Sequence, residues 1–148
     1  MWWLTVKKLK GRITDPVSGI YIELPRRWNA YALNRERGES MFVIGKGSTD
    51  PDIVSLSVTH HLNVEKGDGV DRHILTDEII ELERKEDGDF STYNYGLSET
   101  RQLYVWETET EKYFIRFLFI CAKKNTEKKL GTVQQIVHSL VKHPPQQE

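Results

Sequence analysis

The pattern of apolar and polar positions is clearest in the last third of the chain. Residues 101–107 and 113–121 are rich in aromatic and β-branched side chains, which fit the half-buried surface of a sheet. The polar residues 108–112 between them are a hairpin-length connection. Apolar residues then recur at helical spacing. The pattern predicts two long antiparallel strands followed by a helix over about 126–142.

The second of these strands is apolar on both faces. Successive strand residues point to opposite faces of a sheet. Tyr113, Ile115, Phe117, Phe119 and Cys121 point one way, and Phe114, Leu118 and Ile120 point the other. A strand of this kind is normally covered on both sides. We therefore expect helices on both faces of the sheet that contains it.

Further strands are predicted earlier in the chain, and one segment between them has a different period. The strand-like segments are 20–24, 41–45, 53–60 and 90–95. Leu75, Ile79 and Leu82 lie at helical spacing, and Gly88 ends the run, so a helix is predicted over about 71–85. Short connections favour antiparallel neighbours. The expected fold is α+β, a three-layer α/β/α sandwich with a central antiparallel sheet.

Length and charge limit the possible roles. The 148 residues suit one domain, expected over 1–143 and followed by a disordered tail at 144–148. A net charge of −1 argues against binding to nucleic acid or to an anionic membrane. No apolar run reaches membrane-spanning length, so no membrane insertion is expected. A single cysteine and the lack of a secretory signal favour a cytoplasmic protein. A monomer or a homodimer is expected.

Two stretches resemble a known family. Residues 20–28 read Ile-Tyr-Ile-Glu-Leu-Pro-Arg-Arg-Trp, a strand ending in Pro and then Trp, and residues 133–140 have the form Val-x-x-Ile-Val-x-Ser-Leu. With the order of strands and helices, they resemble the PsbP-like superfamily, which includes the extrinsic photosystem II protein, a Ran-binding nuclear import factor and bacterial DcrB-like domains. The resemblance implies an α/β/α sandwich whose members dock on other proteins. It carries over no functional residue.

Candidate chemistry in the sequence is sparse, and we expect no catalytic residue and no cofactor. His60 and His61 point to opposite faces of a strand and cannot ligate one metal without distortion. Cys121 is interpreted as a small buried hydrophobe. The acidic loops hold hard oxygen ligands of the kind that calcium prefers, at Asp68, Asp71, Asp87 and Asp89. A small calcium-dependent binder or enzyme is therefore the alternative hypothesis.

The main hypothesis is a non-catalytic protein-interaction domain, such as an adaptor, a secretion chaperone or a toxin-immunity protein. Arg, Trp and Tyr are enriched at interface hot spots, and four of them cluster after the first clear strand. They are Arg26, Arg27, Trp28 and Tyr31. We expect this segment to border the surface for a partner protein, with Trp28 as its buried anchor, and to lie away from the long hairpin.

Overall fold

An eight-stranded antiparallel sheet dominates the computed structural model, which describes residues 8–33, 39–46, 52–61 and 80–144. Of residues 80–83, the backbone alone is described. The strands are β1 Lys8–Leu9, β2 Arg12–Thr14, β3 Tyr21–Glu23, β4 Asn29–Leu33, β5 Glu39–Gly45, β6 Ile53–His60, β7 Ile80–Asp87, β8 Phe90–Gly96, β9 Arg101–Glu109 and β10 Tyr113–Ala122. A 3₁₀-helix, Lys123–Asn125, leads into helix α1, Thr126–His138. The order across the sheet is β1-β4-β5-β6-β10-β9-β8-β7, while β2 and β3 form a separate pair.

The predicted hairpin is confirmed and lies at the centre of the sheet. β10 pairs with β9 on one side and with β6 on the other, so that Phe117 lies between Trp106 and Leu56. β4 is separated from β10 by β5 and β6. The expectation that the Arg26–Tyr31 segment lies away from the hairpin is therefore confirmed.

One face of the sheet, which we call the helix face, packs against α1. It carries Ile115, Phe117 and Phe119, and all three are fully buried. Val133, Ile136 and Val137 of α1 are equally buried against it, together with apolar residues of the β2–β3 pair. Burying such a side chain contributes about 1.5–3 kcal/mol relative to leaving it exposed. The helix face is therefore the main core.

Helix α1 ends four residues before the predicted position 142, at His138. The chain after it pairs with β3: Val141 exchanges backbone hydrogen bonds with Tyr21, and the Ser139 hydroxyl accepts one from the Glu23 N–H at 2.9 Å. These contacts compete with further helical turns. They also tie the end of α1 to the β2–β3 pair.

The prediction of a three-layer α/β/α sandwich is wrong. Within the residues that the structure describes, α1 is the only α-helix, and the protein is mostly antiparallel sheet. The opposite face carries a smaller apolar cluster of Tyr95, Leu103 and Val105, with Leu118 and Ile120 packed beside it. Cross-strand apolar packing accounts for the second apolar side of β10. β10 is apolar on both faces, but in the described residues its second face is covered by neighbouring apolar side chains and not by a helix.

The helix predicted over 71–85 is also wrong where it can be checked. Residues 80–85 belong to β7, which pairs with β8 through a two-residue loop, Gly88-Asp89. Gly88 has φ of 60°, which suits the first position of a type II′ hairpin turn and not a helix stop. The strand is rich in charge because it forms an edge of the sheet. Residues 71–79 lie outside the described part of the chain.

Candidate functional site

The segment singled out in the sequence forms a tight turn between β3 and β4. The Trp28 N–H donates to the Pro25 carbonyl at 3.1 Å, which places Arg26 and Arg27 at the two central positions. Arg27 has φ of 76°, the value required at the second central position of a type II turn. Glycine or asparagine normally occupies that position, because a Cβ is strained there. Arg27 is the only non-glycine residue with positive φ in the described ranges.

The four predicted residues have different surroundings. Arg26 and Arg27 are exposed, and neither guanidinium has an ion-pair or hydrogen-bond partner among the described residues. Trp28 is only 4% exposed and belongs to the main core. Tyr31 is half-buried in β4, opposite Val43 of β5. We call Pro25 to Trp28 the arginine turn; its two arginines are the part accessible to a partner.

A cleft that the sequence did not indicate lies between α1 and the outer strands β7 to β9. It encloses about 510 Å³ and is lined by Lys85, Thr92, Asn94, Tyr104 and Gln134. The Oδ1 atom of Asn94 is buried, and it has no hydrogen-bond partner in the part of the chain that the structure describes. A buried carbonyl without a partner is unfavourable by about 1–3 kcal/mol. The sequence could not indicate this cleft, because its lining residues come from four separate elements that no local sequence pattern links.

The C-terminal end of β10 holds a second polar arrangement that the sequence did not indicate. Asp52, 2% exposed, accepts hydrogen bonds from the Ala122 N–H at 3.1 Å and the Asn125 amide at 2.9 Å. Its carboxylate also lies 2.9 Å from the Lys129 ammonium. Burial acts to raise the pKa of Asp52, but these three donors outweigh it and the pKa is lowered.

Cys121 lies next to this arrangement and is fully buried. Its Sγ atom is 3.4 Å from the Thr126 hydroxyl. Burial raises the pKa of the thiol, which disfavours the reactive thiolate. The interpretation of Cys121 as a small buried hydrophobe therefore agrees with its surroundings.

The opposite face of the sheet buries a cross-strand ion pair. Glu107 accepts hydrogen bonds from Arg116, at 2.9 Å from Nε and 2.8 Å from Nη2. Burial raises the pKa of Glu107, and the charge and hydrogen bonds of Arg116 only partly offset it. The geometry is that of a structural pair, because the guanidinium saturates one carboxylate oxygen.

Half of the proposed calcium ligands can be examined. Asp87 lies 2.9 Å from the His138 Nε2 atom, and Asp89 lies 3.5 Å from the Lys142 ammonium, so both carboxylates face side chains of the chain itself. Over the described ranges, no three His, Cys, Asp or Glu side chains converge as a metal site requires. Asp68 and Asp71 lie outside those ranges.

The two adjacent histidines are not brought together. The His61 Nε2 atom is 2.8 Å from the Thr110 carbonyl oxygen, while the His60 ring packs edge-on against Tyr113. Each ring thus has its own neighbour among the described residues.

Comparison with solved structures identifies the fold. Cyanobacterial PsbP from Synechocystis sp. PCC 6803 superposes with a TM-score of 0.56 at 13% identity, covering 88% of this chain and 90% of that one. A protein from Bacteroides thetaiotaomicron VPI-5482 gives a TM-score of 0.54 at 14% identity over 91% of this chain. The chain spans only 49% of the Bacteroides protein. The PsbP-like fold suggested by the sequence is confirmed, and at these identities the likeness concerns the fold alone.

Sequence comparison adds no family assignment. No family model matches the chain, and no curated protein matches it. Among the described residues, no helix is both long enough and apolar enough to cross a membrane.

Proposed function

We propose that this chain is a non-catalytic domain that binds another protein through the arginine turn. Arg26 and Arg27 contact the partner, Tyr31 borders the contact, and Trp28 supports the turn from the core. Members of the PsbP-like superfamily generally dock on other proteins, which is consistent with this proposal. More specifically, we propose that the domain is an adaptor, a secretion chaperone or a toxin-immunity protein, whose partner would be an adaptor target, a secreted effector or a toxin.

The observation that carries the proposal is the backbone of Arg27. A non-glycine residue at φ of 76° is strained by about 1–2 kcal/mol relative to glycine. The side chain has no described partner that would offset this strain within the chain. Strained residues of this kind concentrate at functional sites. A requirement for a guanidinium at this position explains why arginine stands where glycine would be more stable.

The chemistry of the turn suits protein recognition. A guanidinium presents five donors in a planar fork, which matches carboxylates and backbone carbonyls of a partner. Two adjacent forks on a short, hydrogen-bonded turn are held by a rigid backbone, so less freedom is lost on binding. The anchored Trp28 fixes the turn to the main core.

The test compares two substitutions at one position. Arg27→Gly removes the guanidinium and relieves the strain, so we expect a partner affinity at least about tenfold weaker, or 1.4 kcal/mol. The same variant should unfold at a higher urea concentration, with a gain of about 0.5 kcal/mol after the added freedom of the unfolded chain is counted. The partner would first be isolated with a photo-crosslinker placed at position 26, and its affinity would then be measured by calorimetry.

Arg27→Ala is the matched control, because it removes the guanidinium but keeps the Cβ and the strain. It should lose the same affinity without the gain in stability. Unchanged affinity in both variants would contradict the proposal. Turnover of a substrate by the pure protein, abolished by one point substitution, would contradict its non-catalytic part.

The remaining sequence-based expectations belong to this proposal. They are a single domain over 1–143, a monomer or homodimer, and a cytoplasmic location. Sedimentation of the purified chain measures the oligomeric state directly. Fractionation of the source cells measures the location.

A further inference from the structure

A basic cleft lies where the central hairpin meets α1. β9 begins at Arg101 and β10 ends at Ala122, and these two residues are direct cross-strand partners. The chain enters β9 through a turn and leaves β10 through the 3₁₀-helix, and the Lys123 N–H donates to the Thr100 carbonyl at 2.8 Å. Between the turn and the 3₁₀-helix lies a concavity of about 720 Å³. We call it the strand-end cleft.

The cleft has an excess of positive charge. Arg101, Lys123 and Lys124 line it with exposed side chains, and none has an ion-pair partner among the residues that the structure describes. Glu99 is the one exposed acid in its lining, since Asp52 is buried and paired with Lys129. The protein as a whole has a net charge of −1, so the positive charge is local. Such a concavity attracts an anionic ligand.

The hydrogen bonds around the cleft narrow the kind of anion. Phosphate sites typically use several free backbone N–H groups. Here the Ala122 N–H donates to Asp52 and the Lys123 N–H donates to Thr100, so both are occupied. The charged donors without an ion-pair partner among the described residues are the guanidinium of Arg101 and the ammonium groups of Lys123 and Lys124. One planar fork matches the two oxygens of a single carboxylate.

The rest of the lining is suited to an apolar group. Ala122 contributes a methyl group, and the stems of Arg101, Lys123 and Lys124 are aliphatic up to their charged ends. One N–H of the Asn125 side-chain amide donates to Asp52. The favoured ligand therefore has a charged end and an apolar body.

We propose that the strand-end cleft binds a carboxylate carried on an apolar body, as at the C-terminus of a peptide that ends in a large apolar residue. Arg101 holds the carboxylate, Lys123 and Lys124 add charge at the rim, and the apolar side chain lies over Ala122. The cleft is formed by other elements than the arginine turn. This inference therefore stands independently of the proposed function.

The test uses one peptide in two forms, acetyl-Gly-Ser-Gly-Leu-Phe with a free carboxyl end and with a C-terminal amide. Calorimetry on the full chain should detect the acid form at about millimolar concentration, with the amide form at least about tenfold weaker, or 1.4 kcal/mol. Arg101→Gln should weaken the acid form by a similar factor. Lys128→Gln, at an exposed position on α1, is the matched control and should leave it unchanged.

The other outcomes overturn the proposal. Equal binding of the two forms would show that the carboxylate is not recognised, and no heat from the acid form would show that the cleft does not bind it. Inorganic phosphate that displaces the acid form at an equal concentration would show a general anion site instead. Arg27→Ala should leave binding of the acid peptide unchanged, so this test and the test of the arginine turn can fail separately. Melting temperatures of all variants exclude unfolding as the cause.

Discussion

Two buried carboxylates, Asp52 and Glu107, respond to burial in opposite ways. Both are nearly inaccessible to solvent, and each faces a cation, Lys129 for Asp52 and Arg116 for Glu107. The pKa of Asp52 is lowered, although burial acts to raise it. The pKa of Glu107 is raised, mainly by burial. The charged form is thus favoured at one site and disfavoured at the other.

The difference lies in the hydrogen bonds that reach each carboxylate. Asp52 lies at the end of the sheet, where a backbone N–H and an amide are free to donate to it in addition to Lys129. Glu107 lies within a strand, where the neighbouring backbone donors are committed to the ladder and side chains must solvate it. A strand end can therefore hold a buried charge that a strand interior disfavours.

The largest expected effect is at Asp52. Asp52→Ala leaves the Lys129 ammonium, the Asn125 amide and the Ala122 N–H without their shared acceptor. We expect the free energy of unfolding to fall by about 3 kcal/mol, measured by urea unfolding. Asp89→Ala is the control, because Asp89 is 79% exposed and its loss should change stability by less than about 0.5 kcal/mol. If Asp52→Ala and Asp89→Ala lowered the free energy of unfolding equally, the hydrogen bonds of the buried Asp52 would not be stabilising the fold.

A smaller effect is expected when the ion pair on the opposite face is replaced as a whole. Glu107→Leu with Arg116→Met exchanges two buried charges for apolar side chains of similar size. The free energy of unfolding should change by less than about 1 kcal/mol, because the desolvation of both charges is recovered. Glu107→Leu alone should be clearly less stable than the double variant, since it removes the carboxylate that accepts two hydrogen bonds from the half-buried Arg116 guanidinium. A double variant as damaged as the single one would show that the pair is a net stabilising contact.

The smallest effect is the dependence on pH, and its sign differs between the two sites. The folded protein holds the Glu107 proton more tightly than the unfolded chain does, so this contribution to stability is complete below about pH 4.5 and is lost as pH rises through the folded pKa. The contribution of Asp52 is present above about pH 3.8 and is lost as pH falls through its lowered pKa.

Urea unfolding at a series of pH values measures this difference. Relative to Glu107→Gln, the wild type should lose stability as pH rises. Relative to Asp52→Asn, it should lose stability as pH falls. Parallel profiles for the two variants would contradict the opposite pKa shifts.

Sequence periodicity correctly predicted the elements whose apolar residues recur regularly along the chain. β6, β9 and β10 have long alternating runs, and α1 has a stripe whose central residues Val133 and Val137 are buried as expected. The prediction failed at β7, because its edge position selects a charge-rich strand that resembles an amphipathic helix in sequence. Pairing with β8 then decided the structure over residues 80–85.

At the arginine turn, too, the sequence predicted one feature and missed another. Residue type singled out Arg26 and Arg27, because arginine is enriched at interface hot spots and the two follow a predicted strand. The positive φ of Arg27 is a property of the turn that connects β3 to β4, and the last residue of that turn, Trp28, is buried in the core. The sequence therefore identified the two arginines, but it did not predict the backbone strain at Arg27 on which the proposed function rests.

By itself, the sequence determined the central hairpin, the strand β6, the terminal helix and the surface position of the two arginines, because each depends on the spacing of residues close along the chain. Only the tertiary structure decided that the opposite face carries no helix in the described ranges, that residues 80–87 form an edge strand, and that Asp52 meets Ala122 and Asn125. Those contacts join residues about 70 positions apart, and strand pairing alone brings them within hydrogen-bonding distance.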